Sequence, residues 1–235
     1  MFGLPAETPL DLRFTLFRTP VRVHPMFWII SALLGPHTDL RATVIWVLCV
    51  FVSILVHEFG HGLTAMAFRC QPSIVLEGMG GLCYSEAERQ TFWQRLAVLI
   101  CGPGAGFLLA GCVYGGYLIL GYPPLSHTGE QVKGNMLLIN IAWGILNLFP
   151  IWPLDGGQIT GVILNRFNRR SGTRWTHIIS LITAGGLAIY FFNPQDPLLT
   201  IFFALFAWLN FQTLQTLHRE YTQYGVEDSA DWWKR

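Results

Sequence analysis

The sequence predicts an all-α polytopic membrane protein, with about six transmembrane helices and a short membrane-associated β-hairpin. Three observations predict it. Hydrophobic residues make up 52% of the 235-residue chain and charged residues only 12%, against roughly 25% charged in ordinary soluble domains. Several apolar runs approach or exceed the roughly 20 residues that cross a bilayer as a helix. One stretch, 71–91, is too polar to span, yet it brackets a glycine-rich turn with two β-prone runs. The net charge of +1 and the lack of a basic tract argue against a nucleic-acid partner. The lipid bilayer is the partner this composition requires.

The elements follow in order. Residues 12–18 roughly alternate apolar and polar, which suits a short strand or an interfacial segment. A short apolar run at 25–34 is marginal as a span, and 21–24 could extend it. A clear span runs over about 43–68. In the 71–91 stretch, Ser73–Glu77 and Leu82–Ser85 flank Gly78, Gly80 and Gly81, a hairpin pattern. Further spans are expected at about 92–120, 132–149, 176–192 and 197–217. The 132–149 span is broken by Pro150 and Pro153 and resumes as an amphipathic piece near 156–167. Residues 1–217 are read as one membrane domain with an N-terminal interfacial segment, and 218–235 as a polar cytoplasmic tail. Arg13, Arg18 and Arg22 precede the first span, and Arg166, Arg169, Arg170 and Arg174 follow the fourth, while the alternate loops are poor in Lys and Arg. That bias places both termini in the cytoplasm of a multi-pass protein of the cell membrane. The five cysteines form no CxxC pair and read as small apolar core residues.

Inside the 43–68 span stands His57-Glu58-Phe59-Gly60-His61, an HExxH motif. On a helix, positions i and i+4 share a face, so both imidazoles can reach one Zn²⁺, with Glu58 beside it as a base. Three ionisable residues in one membrane turn cost about 2.5–3.5 kcal/mol each on insertion scales, so they need a compensating partner. Catalytic zinc takes a third protein ligand and keeps an open position. The best acidic candidate is Asp155, in Asn147-Leu148-Phe149-Pro150-Ile151-Trp152-Pro153-Leu154-Asp155-Gly156-Gly157. A helix break in a membrane is tolerated only where protein or a wet cavity satisfies it. The alternative for Asp155 is a helix N-cap. Asn140, two turns before Asn147, reads as an interhelical hydrogen bonder or a site residue.

HEFGH within a span, followed by NLFPIWPLDGG at the end of a later one, resembles the site-2 protease family of intramembrane zinc metalloproteases. The resemblance covers about residues 20–170. It implies that His57, His61 and Asp155 bind Zn²⁺, that Glu58 is catalytic, and that Asn147 contacts substrate backbone or the developing oxyanion. GPGAG at 102–106 is similar to the family's Gly-Pro segment, with Gly106 where many members carry asparagine. A compact form without PDZ or CBS domains is implied. The expected reaction is hydrolysis of peptide bonds within or near the transmembrane segments of single-span membrane proteins, and the expected partner is such a substrate. The hairpin, with Val75, Gly80 and Leu82, is expected to add substrate as a strand, and Asn140 is a further candidate contact. The rival reading is a membrane metal transporter or metal-binding channel, which would also place His and Asp in spans but would not need Glu58.

Overall fold

A computed structural model describes residues 7–36, 39–78, 80–121, 125–167, 171–195 and 197–223. Most of the polar tail read at 218–235 therefore lies outside the described residues. The chain divides into two compact units, Met1–Leu146 and Asn147–Arg235.

The first unit opens with a hairpin, β1 (Leu12–Leu16) and β2 (Thr19–Val23). Its two-residue turn puts Phe17 at φ 48° and Arg18 at φ 63°, the backbone signature of a type I′ turn. Side chains pay for that conformation sterically, and Phe17 packs edge-on against Phe59 at 5.7 Å, which helps to offset the cost. Residues 21–23 do not extend the first helix. Val21 and Val23 are buried on either side of half-buried Arg22, a period of two that belongs to a strand.

Helix α1 (Pro25–Leu33) starts at His24, whose Nδ1 accepts from the Met26 N–H at 3.2 Å. It has nine residues, or about 14 Å at 1.5 Å per residue, too short to cross a bilayer alone. Helix α2 (Leu40–Ala67) is capped by Asp39, which accepts from Ala42 N–H at 2.6 Å.

Strands β3 (Ser73–Glu77) and β4 (Gly80–Tyr84) then form the expected hairpin, pairing antiparallel with Val75 opposite Leu82. The sheet is larger than a hairpin. Its order is β1-β2-β3-β4, and β2 pairs parallel with β3 through Val21–Ile74, Arg22–Val75 and Val23–Leu76. With neighbours on both sides, β3 is a run of buried apolar residues, Ile74-Val75-Leu76. Asp11 ties the chain entering β1 to β2. Bonds from Thr8 and the Arg22 guanidinium, 3.2 Å away, hold its carboxyl down at about 2.

A single 3-10 turn (Ala87–Arg89) leads to α3 (Phe92–Ile119), which begins with a Thr91–Gln94 capping box. Helix α4 (His127–Asn147) closes the unit. The core joins Val21, Val23, Ile74 and Leu76 of the sheet to Phe27 of α1. Cys49, Val50, Ile54 and Phe59 of α2 and Met136 and Ile139 of α4 complete it. Helices α2 and α3 approach closely at Gly60, where a Cβ would overlap the Cys101 carbonyl, the small-residue contact usual between membrane helices.

The second unit holds α5 (Asp155–Phe167), α6 (Gly172–Tyr190) and α7 (Leu198–Gln223). Ahead of α5 the chain turns twice. Ile151 N–H donates to Phe149 O at 2.7 Å, and Leu154 N–H to Ile151 O at 2.8 Å. A Cβ at Gly156 or Gly157 would overlap the backbone of Leu148 or Ile151, so glycine is required at both. Phe191 stacks on Phe203 of α7 at 5.8 Å.

Among the described residues, three helices are long and apolar enough to cross a membrane: α2, α3 and the Leu198–Arg219 part of α7. All five cysteines are free.

Candidate metal centre

His57 and His61 lie one turn apart on α2, and both are buried. Their Nε2 atoms are 3.2 Å apart. Two nitrogens bound tetrahedrally to one zinc at about 2.0–2.1 Å would stand about 3.3 Å apart, so the pair matches that geometry. The protonation pattern also fits. His61 Nδ1 is 2.8 Å from the carbonyl of Val98 on α3. A carbonyl only accepts, so Nδ1 carries the proton and the Nε2 lone pair faces His57. Gly102 makes room for the ring, since a Cβ there would overlap it. Imidazole nitrogens suit zinc, and the residues present fit Zn²⁺.

Glu58 is buried on the same turn. Its carboxylate lies against Gly81 of β4, where a Cβ would overlap it. The β4 backbone is thus a wall of the space that the Glu58 carboxylate occupies. Gly81 was legible in the sequence only as a turn residue. A glycine inside a strand can mark such a close approach, and that signal could have found it.

The hairpin residues take different positions. Val75 is buried on the interior strand β3, whereas Leu82 lies on β4, an edge strand of the sheet. Gly80 has φ +127° and sits against Trp143 of α4, and both facts call for glycine. At the end of β3, burial pushes the Glu77 carboxyl up, partly countered by His24 and Arg22.

Asn140 is buried on α4 and donates to Ser53 Oγ at 2.8 Å and to Met136 O at 2.7 Å. Ser53 stands one turn before His57, so Asn140 braces the metal-binding helix. Asn140 Oδ1 also lies in van der Waals range of a Cβ built on Gly106, at 3.5 Å.

In the second unit, Asn147 is the last residue of α4 and Asp155 the first of α5, and both are buried. A carboxylate in the first turn of a helix is favoured by about 0.3–1 kcal/mol from the helix dipole. His177 stands at the start of the apolar run at 176–192. It is buried on α6 and bonded to Asn210 of α7. A polar residue inside an apolar run was the available signal.

The model of peptidase family M50 matches residues 45–135 and 127–192. The protein named "Putative zinc metalloprotease sll0528" of Synechocystis sp. is 34% identical over 161 residues, covering 62% of this chain and 41% of that protein. Stage IV sporulation protein FB of Bacillus subtilis is 28% identical over 149 residues, covering 62% of this chain and 48% of that protein. The chain thus spans less than half the length of these relatives. Among solved structures, the site-2 protease from Methanocaldococcus jannaschii superposes with a TM-score of 0.61 at 18% identity. That match covers 87% of this chain and 95% of the other, and it establishes a shared fold. The paired imidazoles and the likeness to a putative zinc metalloprotease support Zn²⁺ as the cofactor, and the three apolar helices make the chain an integral membrane protein. With the family model running from residue 45 to residue 192, across HEFGH and the Asp155 segment alike, the chain belongs to peptidase family M50.

Proposed function

We propose that the chain is a zinc-dependent intramembrane endopeptidase that hydrolyses peptide bonds within or near the transmembrane segments of single-span membrane proteins. The observation that carries this reading is the pair of buried imidazole nitrogens 3.2 Å apart, with Glu58 on the same turn of an apolar helix. His57, His61 and Asp155 would hold the zinc, which supplies Lewis acidity and brings the pKa of a water to about 7. Glu58 takes the proton of the attacking water and returns it to the leaving amine. Asn147 donates its amide N–H to the substrate carbonyl oxygen as negative charge develops there. The catalytic body is residues 1–217.

A substrate helix hides its peptide bonds in its own hydrogen bonds, so it must be drawn into extended form before attack. Unpaired backbone in a low-dielectric site is costly, and a strand edge relieves that cost. Because β3 has neighbours on both sides, a strand added at this hairpin would lie along β4. Gly80 and Leu82 pair inward with Glu77 and Val75, so they would hold the edge while Gly81 and Cys83 turn their backbone groups to the substrate. Val75 would support the edge from behind, and Asn140 would line the approach.

The test is incubation of the purified, zinc-loaded protein with a panel of single-span membrane proteins. Chelator-sensitive cleavage near the membrane segment is expected, and no cleavage of any member under conditions that retain zinc would count against the reading. In the same assay Cys83→Pro, which removes a backbone donor from the outer side of β4, should slow cleavage while zinc content persists. A folded Cys83→Pro protein that cleaves at the parent rate would end the strand-addition idea and leave the zinc assignment standing.

The six apolar segments are proposed to lie in the membrane, with an even number of crossings, both termini in the cytoplasm and the 121–131 loop outside. Single introduced cysteines labelled with a membrane-impermeant reagent in intact cells check this. Labelling at 121–131 and protection of both ends is the expected pattern, and external labelling of either terminus would overturn it.

A further inference from the structure

Where the broken helix approaches Asp155, the backbone of one residue is held at both its N–H and its carbonyl by side chains of other helices. Trp152 N–H donates to Ser180 Oγ of α6 at 2.9 Å, and Trp152 O accepts from Asn210 Nδ2 of α7 at 2.8 Å. Asn210 Nδ2 also donates to the Phe206 carbonyl at 2.8 Å. Both of those partners only accept, which fixes the amide orientation and turns Asn210 Oδ1 toward His177. His177 Nδ1 lies 2.7 Å from that oxygen, so Nδ1 carries the proton and donates. The Ser180 hydroxyl in turn donates to the Thr176 carbonyl at 2.8 Å. His177, Ser180 and Asn210 are 6%, 0% and 1% exposed.

Two further bonds transmit the anchoring along the chain. Leu154 N–H donates to Ile151 O, and the Gln158 side chain donates to Pro153 O at 3.1 Å. No unanchored stretch separates Trp152 from Asp155, three residues on. Burying an amide, an imidazole and a hydroxyl in apolar helices is unfavourable unless every group is paired. Apolar side chains would pack α6 on α7 without that requirement. Apart from carbonyls of their own helices, Ser180 and Asn210 direct their hydrogen bonds to the Trp152 backbone, and Asn210 is itself held by His177 Nδ1.

We propose that His177, Asn210 and Ser180 form a positioning clamp on the Trp152 backbone that presents the Asp155 carboxylate to zinc and so sets the metal affinity. This rests on the reading of Asp155 as a zinc ligand. The clamp residues touch neither metal nor substrate. They act through the backbone, in the way that hydrogen-bond partners of metal ligands tune a site, where losing one typically costs about 10–100-fold in affinity.

The experiment uses the purified full chain. Zinc affinity is measured by competition with a chromophoric chelator, and ligand geometry by the visible absorption of the Co²⁺-substituted protein. His177→Leu should weaken zinc binding about 10–100-fold and alter the Co²⁺ bands, while thermal unfolding shows a folded protein. His177→Asn keeps an N–H donor near the place of Nδ1 and should recover most of the affinity. Ser180→Ala, which removes one bond and little volume, should fall between them and guards against a His177→Leu protein that does not fold. A folded His177→Leu or Ser180→Ala protein with parental affinity and spectrum overturns the clamp, as does His177→Asn binding as weakly as His177→Leu. Asp155→Ala runs alongside. If it leaves zinc affinity unchanged, the ligand reading fails and the clamp falls with it. If it weakens binding while the His177 and Ser180 variants do not, the clamp alone fails.

Discussion

Glu58→Gln is expected to keep its fold and its zinc while cleavage falls by about 10²–10⁴-fold, the usual contribution of a general base. The substitution is nearly isosteric, so the packing of residue 58 against Gly81 survives. The amide cannot take a proton from water, and that is the one function removed. His57 and His61 keep their Nε2 separation and His61 keeps its bond to Val98, so metal retention should match the parent protein. Initial cleavage rates and metal analysis on the same preparation check both halves. Cleavage at the parent rate by the Gln variant would make the proposed proton transfer wrong.

Asp155→Ala is expected to lose zinc. Removing a ligand should cost more than the roughly 10–100-fold that follows loss of an outer hydrogen-bond partner. Two imidazoles are also a poor site for a metal that prefers four ligands. The variant should still fold, because Gly156, Gly157 and the Trp152 anchors remain. It also forfeits the helix-dipole gain of an acidic first turn at α5, a few tenths of a kcal/mol to about 1. Metal content after gel filtration, with thermal unfolding as a control, decides the matter. Unchanged zinc content would take Asp155 out of the site and leave the His pair as the supported ligands.

Local patterns carried much of the architecture. The i, i+4 spacing of His57 and His61 places two imidazoles on one helical face, and the contacts around His61 accompany an Nε2 separation of 3.2 Å. The apolar runs at 43–68 and 92–120 mark α2 and α3 to within a few residues. The β-prone runs around Gly78–Gly81 became the β3–β4 hairpin. Hydropathy was less decisive for the number of spans, because an apolar run shows neither how many of its residues are helical nor what covers them. The run at 25–34 is a nine-residue helix beside a sheet.

Contacts between residues far apart in sequence were settled by tertiary structure alone. Parallel pairing of β2 with β3 joins Val21 to Ile74 across two intervening helices, and a parallel pair has no turn signature to announce it. The Val98 carbonyl that sets the His61 tautomer, the Gly81 backbone against Glu58, and the Ser180 and Asn210 side chains on Trp152 are all of this kind. Periodicity and turn chemistry are properties of neighbouring residues and can be read in order along a chain. A buried polar partner is chosen by which surfaces pack together. The sequence by itself therefore determined which residues could bind zinc and move a proton, while packing decided what holds those side chains in place.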